Sequence, residues 1–190
     1  MSDADQLLIE ECLKGKRTAQ SKLYKRYAPA LLALCMRYAR NREEAEDVLQ
    51  EGFIKVFANI RNFRGDGSFE GWMKRIMINT AITHNKQTLK HHFHTDIDEI
   101  EETHLVNEEE QISENTIKLP PGKLLEMIQL LPTGYNTVFN LYVFEQYTHK
   151  EIADILGISV NTSKSQLSKA RRYLTTRIAK ITGDRKIELE

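Results

Sequence analysis

Between Thr95 and Ile117 the chain carries nine carboxylates (Asp96, Asp98, Glu99, Glu101, Glu102, Glu108, Glu109, Glu110 and Glu114) and no Lys or Arg. Like charges at this density repel one another and leave little apolar surface to bury, so the stretch predicts a flexible linker that belongs to no core. It ends at Pro120-Pro121-Gly122, a strong punctuation of chain direction. A chain of 190 residues divided in this way has to fold as two small units, and 41% hydrophobic residues supply enough side chain for two cores. The expected limits are a first domain over 1–94, the acidic linker over 95–120 and a second domain over 121–190.

The balanced totals of 27 Lys+Arg and 27 Asp+Glu come apart once they are placed along the chain. Residues 1–94 hold 16 basic against 11 acidic side chains, and residues 118–190 hold 11 against 7. Two basic units therefore flank an acidic tether. Such a tether either keeps a protein soluble or stays clear of a polyanion that both basic units visit. The longest apolar run, Ala30 to Met36, is seven residues, far below the roughly 20 that cross a bilayer, so no membrane span is expected. Asp3, Asp5, Glu10 and Glu11 stand where a secretory leader would be basic and then apolar, which predicts a cytoplasmic protein. Cys12 and Cys35 lack a close pairing pattern and read as small buried side chains in a reducing compartment.

Apolar spacing makes both units helical and the fold all-α. Leu31, Leu34, Cys35 and Tyr38 fall at i, i+3, i+4 and i+7 after Pro29, taken as a helix start. Asn41 with Glu44 forms a capping-box pattern that opens a second helix. Ala45, Val48, Leu49, Gly52, Phe53, Val56, Phe57 and Ile60 then make one apolar stripe, which is core. On the opposite face Asp47, Gln50, Glu51 and Ile54 form a stripe of their own. Most acidic helix faces are simply solvated, but an apolar Ile54 in line with two carboxylates and an amide also suits docking against a basic helical partner.

Phe63-Arg64-Gly65-Asp66-Gly67-Ser68-Phe69-Glu70-Gly71-Trp72 reads as a glycine-rich loop with Ser68 capping the next helix. Phe69, Trp72, Met73 and Ile76 fit that helix's core side, while Lys74, Arg75, Ile78, Asn79, Ile82, Asn85 and Lys86 occupy its other sides. The loop is either a turn with ordinary core aromatics or an aromatic and basic cradle for an unstacked base and its backbone.

The second unit carries helix-turn-helix grammar. After an apolar helical segment from Tyr135 to Phe144, Thr148 and Glu151 make a capping box, Ala153 is small where helices cross, Gly157 supplies the turn and Ser159 caps the final helix. That helix, about Val160 to Lys180, carries Lys164, Lys169, Arg171, Arg172, Arg177 and Lys180, and no acid occurs from Ile155 to Gly183. A basic helix of an unrelated bundle has similar composition. In helix-turn-helix geometry, however, Asn161, Thr162, Lys164, Ser165 and Gln166 would face base edges, and Lys169, Arg171 and Arg172 would grip phosphates.

Three stretches together, Arg42 to Glu51, Phe63 to Asn79 and Thr148 to Leu174, resemble the extracytoplasmic-function group of bacterial sigma factors, over nearly the whole chain. The resemblance implies a transcription initiation factor that binds core RNA polymerase and directs it to promoters. Asp47, Gln50, Glu51 and Ile54 would meet the clamp of the largest polymerase subunit. Phe63, Arg64, Gly65, Ser68, Phe69, Lys74, Arg75, Asn79 and Lys86 would hold a flipped base and melted strand at the −10 element. The helix-turn-helix would read the −35 element, and an anti-sigma protein would be a further partner. The family usually begins its recognition helix with Gly-Thr-Val, where this chain has Asn161-Thr162-Ser163, and Gln166 replaces a common Arg, which implies a different −35 preference. Near the end of the melting domain the expected basic residue has no clear counterpart, since Lys86 and Lys90 sit among His91, His92 and His94.

No catalytic constellation is expected, and no cofactor. His84, His91, His92, His94 and His104 lack the helical spacing of zinc sites, so no metal is expected either. The rival reading is a stand-alone helix-turn-helix regulator that binds duplex DNA without polymerase; a helical metallohydrolase is more remote.

Overall fold

The computed structural model describes residues 3–85 and 121–182, and every regular element among them is helical. The chain divides into two compact units, Met1–Lys86 and Gln87–Glu190. The acidic linker, Lys86 and Lys90 lie outside the described residues. No helix among the described residues is long and apolar enough to cross a membrane, and no His, Cys, Asp and Glu side chains among them are grouped as a metal would require.

In the first unit α1 (Asp3–Leu13), α2 (Arg17–Tyr38), α3 (Arg42–Asn59) and α4 (Phe69–His84) succeed one another, with a 3-10 turn at Ile60–Asn62. Helices α2, α3 and α4 pack on one another and α1 lies against α2. The helix expected to begin at Pro29 in fact begins at Arg17, and Pro29 sits inside α2. Proline removes one backbone donor and crowds the preceding turn, and here its exposed position leaves the freed carbonyl side of the helix open to solvent. Asn41 caps α3 as expected, accepting from the Glu44 N–H at 2.9 Å. Glu44 returns its carboxylate to the Arg40 N–H and guanidinium instead of to Asn41. Arg40 thereby holds the Glu44 carboxyl below its ordinary value, against the opposing pull of burial.

The α3 stripe is core, from Ala45 to Val56, with Ile60 buried in the turn beyond. Gly52 marks the tightest contact. A Cβ there would stand 2.1 Å from Sδ of Met77, so a larger residue would force the buried Met77 side chain to move. The α4 stripe keeps Phe69 and Met73 as expected but continues through Met77, Ile78, Thr80 and Ala81, leaving Trp72 and Ile76 half-buried. Leu23, Leu31, Met73 and Met77 have no more than trace exposure, worth about 1.5–3 kcal/mol apiece. Cys12 and Cys35 are both buried free thiols, in keeping with their sequence setting.

The second unit contains α5 (Pro121–Gln129), α6 (Thr133–Phe139), α7 (His149–Leu156) and α8 (Val160–Thr182). Met127, Leu131, Ala170 and Leu174 form a core cluster that joins α5 to α8. The apolar segment after Pro132 is not one uniform helix: α6 widens into a π turn at Asn140–Phe144. Inside it, buried amides replace apolar contacts, with Asn136 Nδ2 donating to the Ile128 carbonyl at 2.8 Å and Asn140 Nδ2 to the Asn136 carbonyl at 2.9 Å. The helix-turn-helix then keeps to its grammar. Thr148 and Glu151 close both halves of the capping box, and Gly157 turns the chain at φ +69°. Ser159 Oγ accepts from the Thr162 N–H at 2.9 Å and opens α8.

Candidate nucleic-acid interface

The loop between the 3-10 turn and α4 is built on rings. Phe69, buried at the first position of α4, stacks on Trp72 with centroids 5.5 Å apart and planes 21° from parallel. Phe63 meets Phe69 edge-on at 5.0 Å and Trp72 at 5.7 Å. Ser68 caps the helix by accepting from the Gly71 N–H at 2.9 Å, and Gly65 and Gly67 bend the loop through positive φ, conformations that side chains resist. The result is a cavity of about 400 Å³ lined by Asn62, Phe63, Arg64, Asp66, Gly67, Ser68, Gly71, Trp72 and Arg75. Aromatic walls with exposed guanidiniums at the rim can receive a planar heterocycle and the phosphates beside it.

Of the residues expected to touch a melted strand, the cavity brings together Phe63, Arg64, Ser68 and Arg75. Phe69 lies beneath it, at 2% exposure, so it supports the walls and offers no stacking face. Lys74 stands outside, paired with Glu70 at 2.8 Å. Gly65 shapes the loop without lining the hollow. Asn79 lines a second cavity of about 360 Å³ beyond Trp72, with Lys55, Asn59, Asn62, Ile76, Thr80 and Thr83. Trp72 and Asn62 border both hollows. Sequence spacing puts Trp72 in the core and gives Asn59 and Asn62 no role; the signal for the amides is their three-residue separation where the α3 stripe runs out.

On the outer face of α3, Asp47, Gln50 and Ile54 are exposed, Ile54 at 69%. Glu51 is half-buried and bonded to Lys55 at 2.7 Å. Gln50 also lines a groove of about 450 Å³ with Tyr24, Pro29, Leu32, Arg42 and Glu46. The four residues thus share one face that mixes charge, amide and an exposed aliphatic chain.

In the second unit Asn161, Lys164, Arg171 and Arg172 are exposed along α8. Ser168, not singled out from the sequence, is exposed in the same row, and its i+4 and i+7 spacing from Lys164 and Asn161 is the signal that would have found it. Thr162 and Ser165 are half-buried and spend hydroxyl contacts on Ser159 and the Thr162 carbonyl. Gln166 is a correction: at 1% exposure it belongs to the interior, because it shares the inward side of the helix with Ser163 and Ala170 at helical spacing. Lys169 lies 6.0 Å from the Tyr135 ring centroid and Arg171 5.9 Å from that of Tyr142. Tyr142 also stacks on His149 at 4.6 Å, and His149 Nδ1 pairs with the buried Ser163 hydroxyl at 2.9 Å. Burial first, then Lys164 and Arg171, lowers the His149 pKa, so the imidazole is neutral at pH 7 and supports α8 without adding to its charge.

A helical unit with an aromatic hollow and a second with a basic outward helix define a nucleic-acid-binding protein of the two-unit, helix-turn-helix class. Sigma-70 region 2 matches residues 23–88 and Sigma-70, region 4 matches residues 122–174. The chain is 30% identical to the RNA polymerase sigma-H factor of Pseudomonas aeruginosa over 90% of its own length and 92% of that protein. It is 30% identical to the ECF RNA polymerase sigma-E factor of Haemophilus influenzae over 92% and 95%. In fold it is similar to the sigma factor RpoE, solved with the anti-sigma factor NepR from Bartonella quintana, at TM-score 0.51 and 20% identity, covering 87% of this chain and 98% of that one. The chain belongs to the extracytoplasmic-function group of the sigma-70 family. It is a transcription initiation factor and not an enzyme.

Proposed function

We propose that the chain docks on the clamp of the largest subunit of core RNA polymerase through Asp47, Gln50, Glu51 and Ile54, and engages a promoter with both units. The exposed Ile54 flanked by Asp47 and Glu51 supports the docking assignment, since an apolar side chain among carboxylates suits a basic helical partner. The cavity at Phe63 and Trp72 takes one unstacked base of the −10 non-template strand, with Arg64 and Arg75 on its phosphates, and Asn79 meets the strand in the adjoining hollow. Asp66 in the first cavity disfavours phosphate there and accepts from an amino group on a base edge. The row Asn161, Lys164, Arg171 and Arg172 meets the −35 duplex, with Thr162, Ser165 and Lys169 contributing from the flanks. Lys86 and the acidic linker join the −10 contacts and the polymerase path by family resemblance.

The observation that carries this reading is the ring-walled cavity rimmed by two arginines. Opening a base step costs a few kcal/mol, and a small domain recovers it only through stacking and charge, both present here. We place the protein in the cytoplasm, with domain limits at 1–94, 95–120 and 121–190, and an anti-sigma protein covering the docking surfaces when the factor is silent. Size-exclusion chromatography with bacterial core polymerase tests the reading. Wild type should co-elute and Gln50→Ala/Glu51→Ala should lose most of that complex. Wild type eluting alone would instead favour a stand-alone helix-turn-helix regulator.

A further inference from the structure

The −10 cavity has a support that strand capture does not use directly. Buried Phe69 touches a third ring besides Phe63 and Trp72: Tyr27 on α2 lies edge-on to it at 6.0 Å and 73°. Tyr27 lines neither hollow. Its hydroxyl donates to Asp5 Oδ1 at 2.9 Å, and the same oxygen accepts from Arg26 at 2.9 Å. The Arg26 guanidinium lies 5.6 Å from the Tyr27 ring centroid, so ring, cation and carboxylate form one knot.

Asp5 sits on the wrong face for a solubilising acid. Asp5, Ile9 and Cys12 fall at i, i+4 and i+7 of α1, and Ile9 and Cys12 are buried. The Asp5 side chain is itself only 12% exposed, whereas neighbouring Glu10 faces solvent. An inward carboxylate opposes burial unless its partners offset the lost hydration. Burial, reinforced by the Asp5 hydrogen bond, pushes the Tyr27 phenol up to about 12, so it remains a hydrogen-bond donor at any physiological pH.

We propose that Asp5 is a positioning residue for the −10 cavity: by holding the Tyr27 hydroxyl, it keeps the Tyr27 ring against Phe69 and thereby sets the walls formed by Phe63 and Trp72. The proposal rests on the strand-capture reading of that cavity. Helix α1, which contributes no residue to either hollow, becomes a buttress for one. Removing the carboxylate leaves a half-buried hydroxyl seeking water, and the ring that backs Phe69 moves with it.

Trp72 is the only tryptophan of the chain, so its emission reports on the cavity itself. Full-length Tyr27→Phe and Asp5→Ala are compared with wild type. In both variants acrylamide quenching of Trp72 rises about twofold as the ring cluster loosens. Each variant still co-elutes with core polymerase. Affinity of that complex for fork-junction DNA with a randomised single-stranded −10 segment falls about fivefold, while affinity for fully duplex DNA holds. Circular dichroism shows whether Asp5→Ala has lost α1, and Tyr27→Phe, which keeps the ring and its apolar contacts, then decides. Trp72 quenching equal to wild type in Tyr27→Phe overturns the tie. Raised quenching with undiminished fork binding leaves the tie standing and overturns the cavity's role in strand capture.

Discussion

The first unit gathers Phe63 and Trp72 around a hollow and backs both rings with the buried Phe69, whereas the second sets Lys164, Arg171 and Arg172 in a row along the outside of one helix. The hollow depends on core packing, since its walls stack on a residue that also holds α4 in place. The row rests on one helix, with the Tyr142 ring beside Arg171, and its residues are exposed. A concave site built this way couples binding to stability. A convex row of charge leaves the two separable.

The largest expected effect tests the coupled half. Phe69→Ala should destabilise the first unit by about 3–4 kcal/mol, the usual loss for a buried ring, measured by thermal unfolding monitored at Trp72. A loss below about 1 kcal/mol would show that Phe69 faces solvent, as a base-stacking ring would, and would erase the contrast. The separable half calls for Arg171→Ala/Arg172→Ala. Its unfolding should stay within about 0.5 kcal/mol of wild type, while the slope of log K against log salt for −35 duplex falls by about 2, one for each phosphate contact. Equal slopes would remove both arginines from the duplex contact.

The smallest effect concerns pH. The His149 pKa is lowered from 6.5 by burial, helped by Lys164 and Arg171, so the unfolded chain takes up this proton before the folded unit does. The contribution of His149 is therefore full above pH 6.5 and is lost as pH falls through the lower folded value. Urea titrations between pH 7.5 and pH 5 should show a steeper loss for wild type than for His149→Gln. Identical pH profiles would mean that the imidazole is not held by Ser163 and Tyr142.

Local signals in this chain are readable and through-space ones are not. Ser68, Thr148 and Gly157 act within a turn of their own positions as their spacing predicts, and Asn41 caps α3 although Glu44 completes no box with it. Helix α1 escapes notice because Ile9 and Cys12 are its only buried apolar side chains among the described residues, Asp5 shares their face and Leu7 is exposed, too thin an apolar stripe to stand out. Pro29 misleads because a helix-start preference says nothing about the twelve residues before it. In the site, Phe63, Arg64, Ser68 and Arg75 are legible from the composition of the loop. The burial of Phe69 is legible too, in its core spacing, but that of Gln166 is not, because it depends on which side of α8 meets a neighbouring helix. Trp72 shows the same limit in reverse: a residue with core spacing stands at the border of two hollows.

The buried sulfurs have a practical consequence. Burial pushes the Cys35 thiol up to about 12 and raises that of Cys12 as well, and a thiol without its thiolate is a poor nucleophile. Both native cysteines should therefore ignore maleimides at neutral pH while the protein is folded. A cysteine introduced at exposed Asn161 would outcompete them, so a dye can be attached at one chosen point without first engineering away the natural pair.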